Sequence, residues 1–443
     1  MQRNQTLVAF TDADGCVFNP YWDWLFLHII AKYGDFFLQY GRNPESLLKS
    51  ELLVKEKLAE IKREVLEIPQ YTEGEPVRMV NIPAQHNVVV QVLKNYGYAS
   101  LEGLNEEKIE ELLASIKLNY RKFILNLGEE GKQLLDALLF AANKPFINEL
   151  KDRVIRERYQ NFILLSASNR QSFVYDEGNS EENGTGLFCP ALVAIKERFN
   201  ELLGREDYPA KCVLDMFLLA DIYGDLKPGA SFALILEAVA AELKREEDTD
   251  EINHSDYVFD RRKFSLLYAM MHHIAGKFSN DKITIAFFED REDIYEALVT
   301  IFSKHCDLIP DNVVIEFWPY EGNLPRLKDV KTDDMAAMQK GAILALEGKG
   351  QIDFNYYESV LRIAALSGHD EETKPVIDAI EDMDIERFKQ ERVLLCQDKT
   401  PSNYQNKLTI FEQSVADTRH VAQTDTSSQT QELKQKNGVN SLV

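Results

Sequence analysis

Positive charge is scarce in this chain. Against 73 Asp and Glu stand 50 Lys and Arg, a formal net charge of -23 over 443 residues. Such a chain repels the phosphates of nucleic acid and the surface of an anionic membrane, so neither is an expected partner. Cysteine is rare too. The five present, Cys16, Cys189, Cys212, Cys306 and Cys396, are odd in number, scattered and free of CxxC spacing. That argues against a zinc site and for reduced thiols in a cytoplasmic compartment. No apolar run reaches the roughly 20 residues needed for a membrane span. Residues Met1–Gln5 pass straight into the first strand pattern, so no cleavable secretory signal is expected. What remains is a globular composition, 45% hydrophobic and 28% charged, long enough for two or three domains.

The stretch Leu7-Val8-Ala9-Phe10-Thr11-Asp12-Ala13-Asp14-Gly15 organises the rest. An apolar run reads as a short buried strand, and Gly15 as the turn that ends it. Residues i and i+2 of a strand point the same way, so Asp12 and Asp14 are expected side by side. Two acids at the end of a buried strand need a cation between them. Magnesium suits, because it takes hard oxygen ligands and keeps room for a phosphate. A surface turn in which both acids cap the next segment is the plainer alternative.

Three later pieces join it. Asn161–Leu165 is another apolar strand, ending in Ser166-Ala167-Ser168-Asn169-Arg170. Leu226-Lys227-Pro228-Gly229 puts a lysine in a loop before a helical stretch. Ile283–Phe288 is a strand that ends in Glu289-Asp290-Arg291-Glu292-Asp293. Taken in order, this series resembles the four motifs of the haloacid dehalogenase-like (HAD) superfamily, most of whose members are magnesium-dependent phosphohydrolases. The resemblance covers about Leu7 to Tyr320.

Further strands are expected at Cys212–Leu218 and Val313–Trp318. Strands separated by helical stretches imply a parallel sheet. The fold class is therefore α/β, a Rossmann-like parallel sheet of about five strands. Helical patterns fill the segment between the first two motifs, at 45–67, 84–96, 105–118 and 129–158, one of them opened by Asn105 as a cap. The aromatic run Tyr21–Ile30 is expected to open a well-packed helix, with His28 in the core. His254, His272 and His273 are expected to be structural, and one of the adjacent pair partly exposed. Tyr175–Gly186 reads as a flexible loop, and 331–348 and 354–392 as further helices. The organisation expected is a discontinuous core (1–20 and 159–325), a helical insertion (21–158), a helical C-terminal extension (326–396) and a disordered tail (397–443).

The resemblance implies that the insertion is a cap and that the chemistry is phosphate-ester hydrolysis with Mg2+. Asp12 would be the nucleophile and Asp14 the acid and base. Ser166, or else Ser168, would bind the phosphoryl oxygens. Lys227 would neutralise their charge and hold Asp12. The metal would rest on Asp12, Asp14 through its backbone carbonyl, and Asp290, with Glu289 or Asp293 in support. The substrate would be a phosphorylated small molecule or a phosphoprotein. The alternative is an interaction protein built on the same scaffold, such as a bacterial effector delivered into a host cell.

Overall fold

A computed structural model describes residues 4–42, 50–68, 82–97, 105–224, 226–243, 262–320, 343–366 and 389. The centre is a six-stranded sheet: β1 (Gln5–Thr11), β2 (Asn161–Ser166), β3 (Cys212–Asp215), β4 (Lys282–Glu289), β5 (Val313–Pro319) and β6 (Leu344–Glu347). Its spatial order is β3-β2-β1-β4-β5-β6. The first five strands run parallel and β6 is antiparallel to β5. In β1, Leu7 through Phe10 are fully buried, as expected for a central strand covered on both faces. The sheet is Rossmann-like. Its order reverses at β1, which lies between β2 and β4, and ligands in such sheets bind beyond the carboxyl ends of the strands at that reversal.

Thirteen α-helices are present among the described residues. Between β1 and β2 come α1 (Pro20–Gly41), α2 (Glu51–Glu67), α3 (Ile82–Asn95), α4 (Glu106–Leu125), α5 (Glu129–Ala142) and α6 (Lys144–Arg156). Asn19 caps α1, its side-chain oxygen accepting from the amides of Tyr21 and Trp22. Pro20 follows at the first helical position, where its missing N–H costs nothing. Tyr21, Trp22, Leu25, Phe26, Ile29 and Ile30 are buried, so the aromatic run packs as expected. His28 does not join them; it stacks on Trp24 with a side chain 32% exposed. Asn105 caps α4 by accepting from the Lys108 amide at 3.0 Å. The stretch 129–158 breaks into two helices at Asn143. That side chain is buried and donates to the carbonyls of Val17 and Leu139.

After β2 come α7 (Phe173–Asn183) and α8 (Phe188–Arg205), then β3, α9 (Leu219–Tyr223), α10 (Ala230–Leu243), α11 (Phe264–Lys277), β4, α12 (Glu292–Lys304) and, past β6, α13 (Tyr356–Leu366). The loop expected over 175–186 is instead mostly α7. Ser172 caps its start by accepting from the Tyr175 amide, and Gly184 ends it in a left-handed conformation. Local capping outweighs the turn-like composition. Residues 344–347, expected to be helical, form β6, because they pair with β5 at the sheet edge. His254, Cys396, most of 326–392 and the tail 397–443 lie outside the described residues. No described helix is long and apolar enough to cross a membrane.

His272 and His273 of α11 are both buried, so neither is partly exposed as expected. His272 accepts from the Asp353 amide and donates to the Leu308 carbonyl, which makes it the neutral Nε2–H tautomer. His273 lies between Asp215 Oδ2 at 3.2 Å and the Tyr356 hydroxyl at 2.9 Å, and Lys277 reaches the same Asp215 oxygen at 3.1 Å. Burial alone would raise the Asp215 carboxyl; the charges of His273 and Lys277, with the Phe217 amide, hold it far below the usual range. A depressed folded-state value means the stabilisation is complete above the unfolded value of about 4 and is lost as pH falls below it. Asp215→Ala is therefore expected to lose about 3–5 kcal/mol at pH 7. In urea unfolding the gap to the parent should narrow at about pH 3. A gap that does not change with pH would show that Asp215 is not held ionised.

Candidate active site

Register places the site. Thr11, the last residue of β1, pairs with Ser166 on one side and Phe288 on the other. The next residues along, Asp12 and Glu289, therefore leave adjacent central strands at the same edge. Asp290 follows in the turn before α12. Asp12, Glu289 and Asp290 each offer an oxygen, and these atoms lie within 4.8 Å of one another. Gly15 makes the approach of Asp290 feasible. Its φ is +71°, and a Cβ there would stand 1.9 Å from Asp290 Oδ2. Only glycine fits both demands.

The cation in this cluster is Lys263. Its Nζ is 2.7 Å from Asp12 Oδ2 and 2.7 Å from Glu289 Oε2, and its side chain is 3% exposed. Lys227, expected in this role, lies exposed in the turn before α10. The reason is topological. A helix that feeds a parallel strand must start at the strand's carboxyl edge. The 14 residues of α11 at about 1.5 Å each return the chain across the 8 residues of β4 at about 3.3 Å each. Lys263 is the residue immediately before α11, so it arrives beside Asp12. Its φ of +61° is uncommon for a residue with a Cβ and costs about 1–2 kcal/mol; backbone strain of this kind clusters at functional sites.

Three carboxylates face one ammonium. Burial works against a charged Lys263, but Asp12 and Glu289 outweigh it and push its pKa up. Burial raises Glu289, with Lys263 pulling the other way. Asp290 is pushed up to about 8, by burial first and then by the charges of Glu289 and Asp12. Among the described residues the cluster is thus short of positive charge, and every donor is a hard carboxylate oxygen. This set fits a small divalent cation. Cys16 lies beneath, its Sγ 3.4 Å from the Tyr320 carbonyl oxygen and 3.9 Å from Asp290 Oδ1. Burial and then Asp290 push its thiol well up, so it is a neutral neighbour.

The Asp14 carboxylate pairs with Arg170 and not with Lys263. The strand ends at Thr11, and the turn sends the two side chains to different partners. Asp14 receives both Nε, at 3.1 Å, and an Nη of Arg170 on its two oxygens. Burial raises the Asp14 carboxyl and Arg170 opposes it; with 41% of the side chain exposed, solvent moderates both effects, and the direction is upward. Ser166 is buried at the end of β2, its Oγ accepting from the Ser168 amide at 3.4 Å, while Ser168 Oγ accepts from the Arg170 amide at 3.3 Å. Asp293 stays out of the acidic cluster. It is half-exposed on the first turn of α12 and paired with Arg291 at 2.7 Å, where the helix dipole also favours an acid. Lys263 and Arg170 are the two site residues the motif reading passed over. The signal for Lys263 was its place just ahead of the helix that leads into β4.

Comparison with family models, curated proteins and solved structures finds no match.

The exchange of lysines is testable without any substrate. With metal chelated, Lys263→Met leaves a buried acidic cluster uncompensated and should lose about 3–5 kcal/mol in urea unfolding. Lys227→Met should stay within about 0.5 kcal/mol of the parent. Equal effects would remove Lys263 from its place.

Proposed function

We propose that the protein is a magnesium-dependent phosphohydrolase of the haloacid dehalogenase-like kind, working through an aspartyl-phosphate on Asp12. The observation that carries this reading is the Lys263 ammonium shared by Asp12 and Glu289, with Asp290 beside them at the carboxyl edge of the two central strands. The order of the motif residues along the chain supports it as well.

In this reading Lys263 holds Asp12 Oδ2, which turns Oδ1 toward the phosphorus. Oδ1 attacks, the bond to the leaving oxygen breaks, and Asp14 gives that oxygen a proton. Water then attacks the aspartyl-phosphate, Asp14 takes its proton, and the bond from phosphorus to Asp12 breaks to free phosphate. Ser166 donates its hydroxyl to a phosphoryl oxygen, and Lys263 offsets the charge that gathers there. A bound Mg2+, held by the carboxylates of Asp12, Asp290 and Glu289 and the Asp14 carbonyl, would supply further positive charge at the phosphoryl group. Lys227 and Asp293 have no part in this scheme. The substrate class is a phosphate monoester of a small molecule or of a protein.

Asp12→Asn decides it. Hydrolysis of a generic phosphate ester with Mg2+ should fall at least about 10³-fold, while the melting temperature stays near that of the parent. Undiminished turnover in the variant would take the nucleophile's role from Asp12.

A further inference from the structure

Asp14 sits in a turn on a short side chain that is 41% exposed. Left to itself it would be free to rotate. It is held by Arg170, which is 2% exposed and lies in the loop that follows β2. A guanidinium carries five N–H donors, and each has a partner. Nε and one Nη2 hydrogen go to the two oxygens of Asp14. The second Nη2 hydrogen goes to Thr185 Oγ1 at 3.0 Å, and the two on Nη1 go to Asp176 Oδ1 at 3.1 Å and the Gly186 carbonyl at 3.0 Å. The Phe18 ring covers the guanidinium at 5.7 Å. No donor is left for a phosphate, so Arg170 is not a substrate-binding arginine.

Its mount is rigid. Asp176 is fully buried, and its carboxylate accepts from the amides of Phe188 and Cys189 at the start of α8. The Thr185–Gly186 segment is gripped from the other side as well. Arg121 of α4 donates to the Thr185 carbonyl and to Ser180 Oγ. The helical segment between β1 and β2 is thereby fastened to the same mount.

We propose that Arg170 is a positioning residue that fixes the Asp14 carboxyl where it can reach the leaving oxygen, anchored through Asp176 and the Thr185–Gly186 segment to α8 and α4. This rests on the phosphohydrolase reading. A planar fork sets the plane of a carboxylate, and a lysine cannot do so.

The test is the dependence of kcat/KM on the leaving group. A nitrophenolate leaves without a proton and an alkoxide needs one. For Arg170→Lys, kcat/KM for a simple alkyl phosphate should fall on the order of 100-fold, and for 4-nitrophenyl phosphate less than about 10-fold. Arg170→Gln with Asp176→Asn, which leaves no unpaired buried charge, should show the same split. An equal fall on both esters, no fall on either, or loss of the folded state in both variants makes Arg170 merely structural and overturns the proposal. A parent protein that hydrolyses neither ester refutes the phosphohydrolase reading itself, and the proposal falls with it.

Discussion

One ammonium group bridges the acids that end the two central strands at the carboxyl edge of the sheet. Lys263 bonds Asp12 at the end of β1 and Glu289 at the end of β4, two buried acids whose burial a paired cation offsets. To reach them, the chain accepts a left-handed lysine. A lysine in solvent would serve a surface equally well and carry no such strain. The arrangement is therefore better understood as a site kept under electrostatic tension than as a device for stability. Three acids crowd one cation, and Gly15 clears the space that lets the third one in.

Two other buried ion clusters follow a different rule, in which the acid is fully partnered. Asp215 takes His273 and Lys277. Asp176 takes Arg170 and two helix amides. Satisfied in this way, a buried acid rigidifies its surroundings. The Asp12 cluster differs because, among the described residues, its positive charge falls short. That contrast within one molecule is the strongest physical reason to look for a bound cation there and not at the other two clusters.

Much of this was legible in the chain itself. Five strands announce themselves as apolar runs, and the acids and hydroxyls that close β1, β2 and β4 mark the carboxyl edge of the sheet. Asn105 advertised a helix start. What the chain does not disclose locally depends on its distant parts. Lys227 carried a neighbouring Pro-Gly and looked like a loop residue poised over a helix, yet position relative to β4 decides which lysine arrives, and that favours Lys263. Asp293 fell within the acidic run, but one turn of helix swings it to Arg291. β6 has four residues and no strand signal apart from its partner β5. α7 is hidden by Gly, Asn and Ser, and only its caps betray it. The pairing of Asp14 with Arg170 needs the turn after Thr11, which breaks the strand alternation expected to keep Asp12 and Asp14 together.

The central claim is that Asp12, Glu289 and Asp290 together take one divalent ion. Calorimetric titration of the full chain with Mg2+ tests it directly. The account predicts one ion per chain, with Asp290→Asn weakening binding by about tenfold or more while the fold persists. Equal affinity in parent and variant, or no binding by the parent, would contradict it.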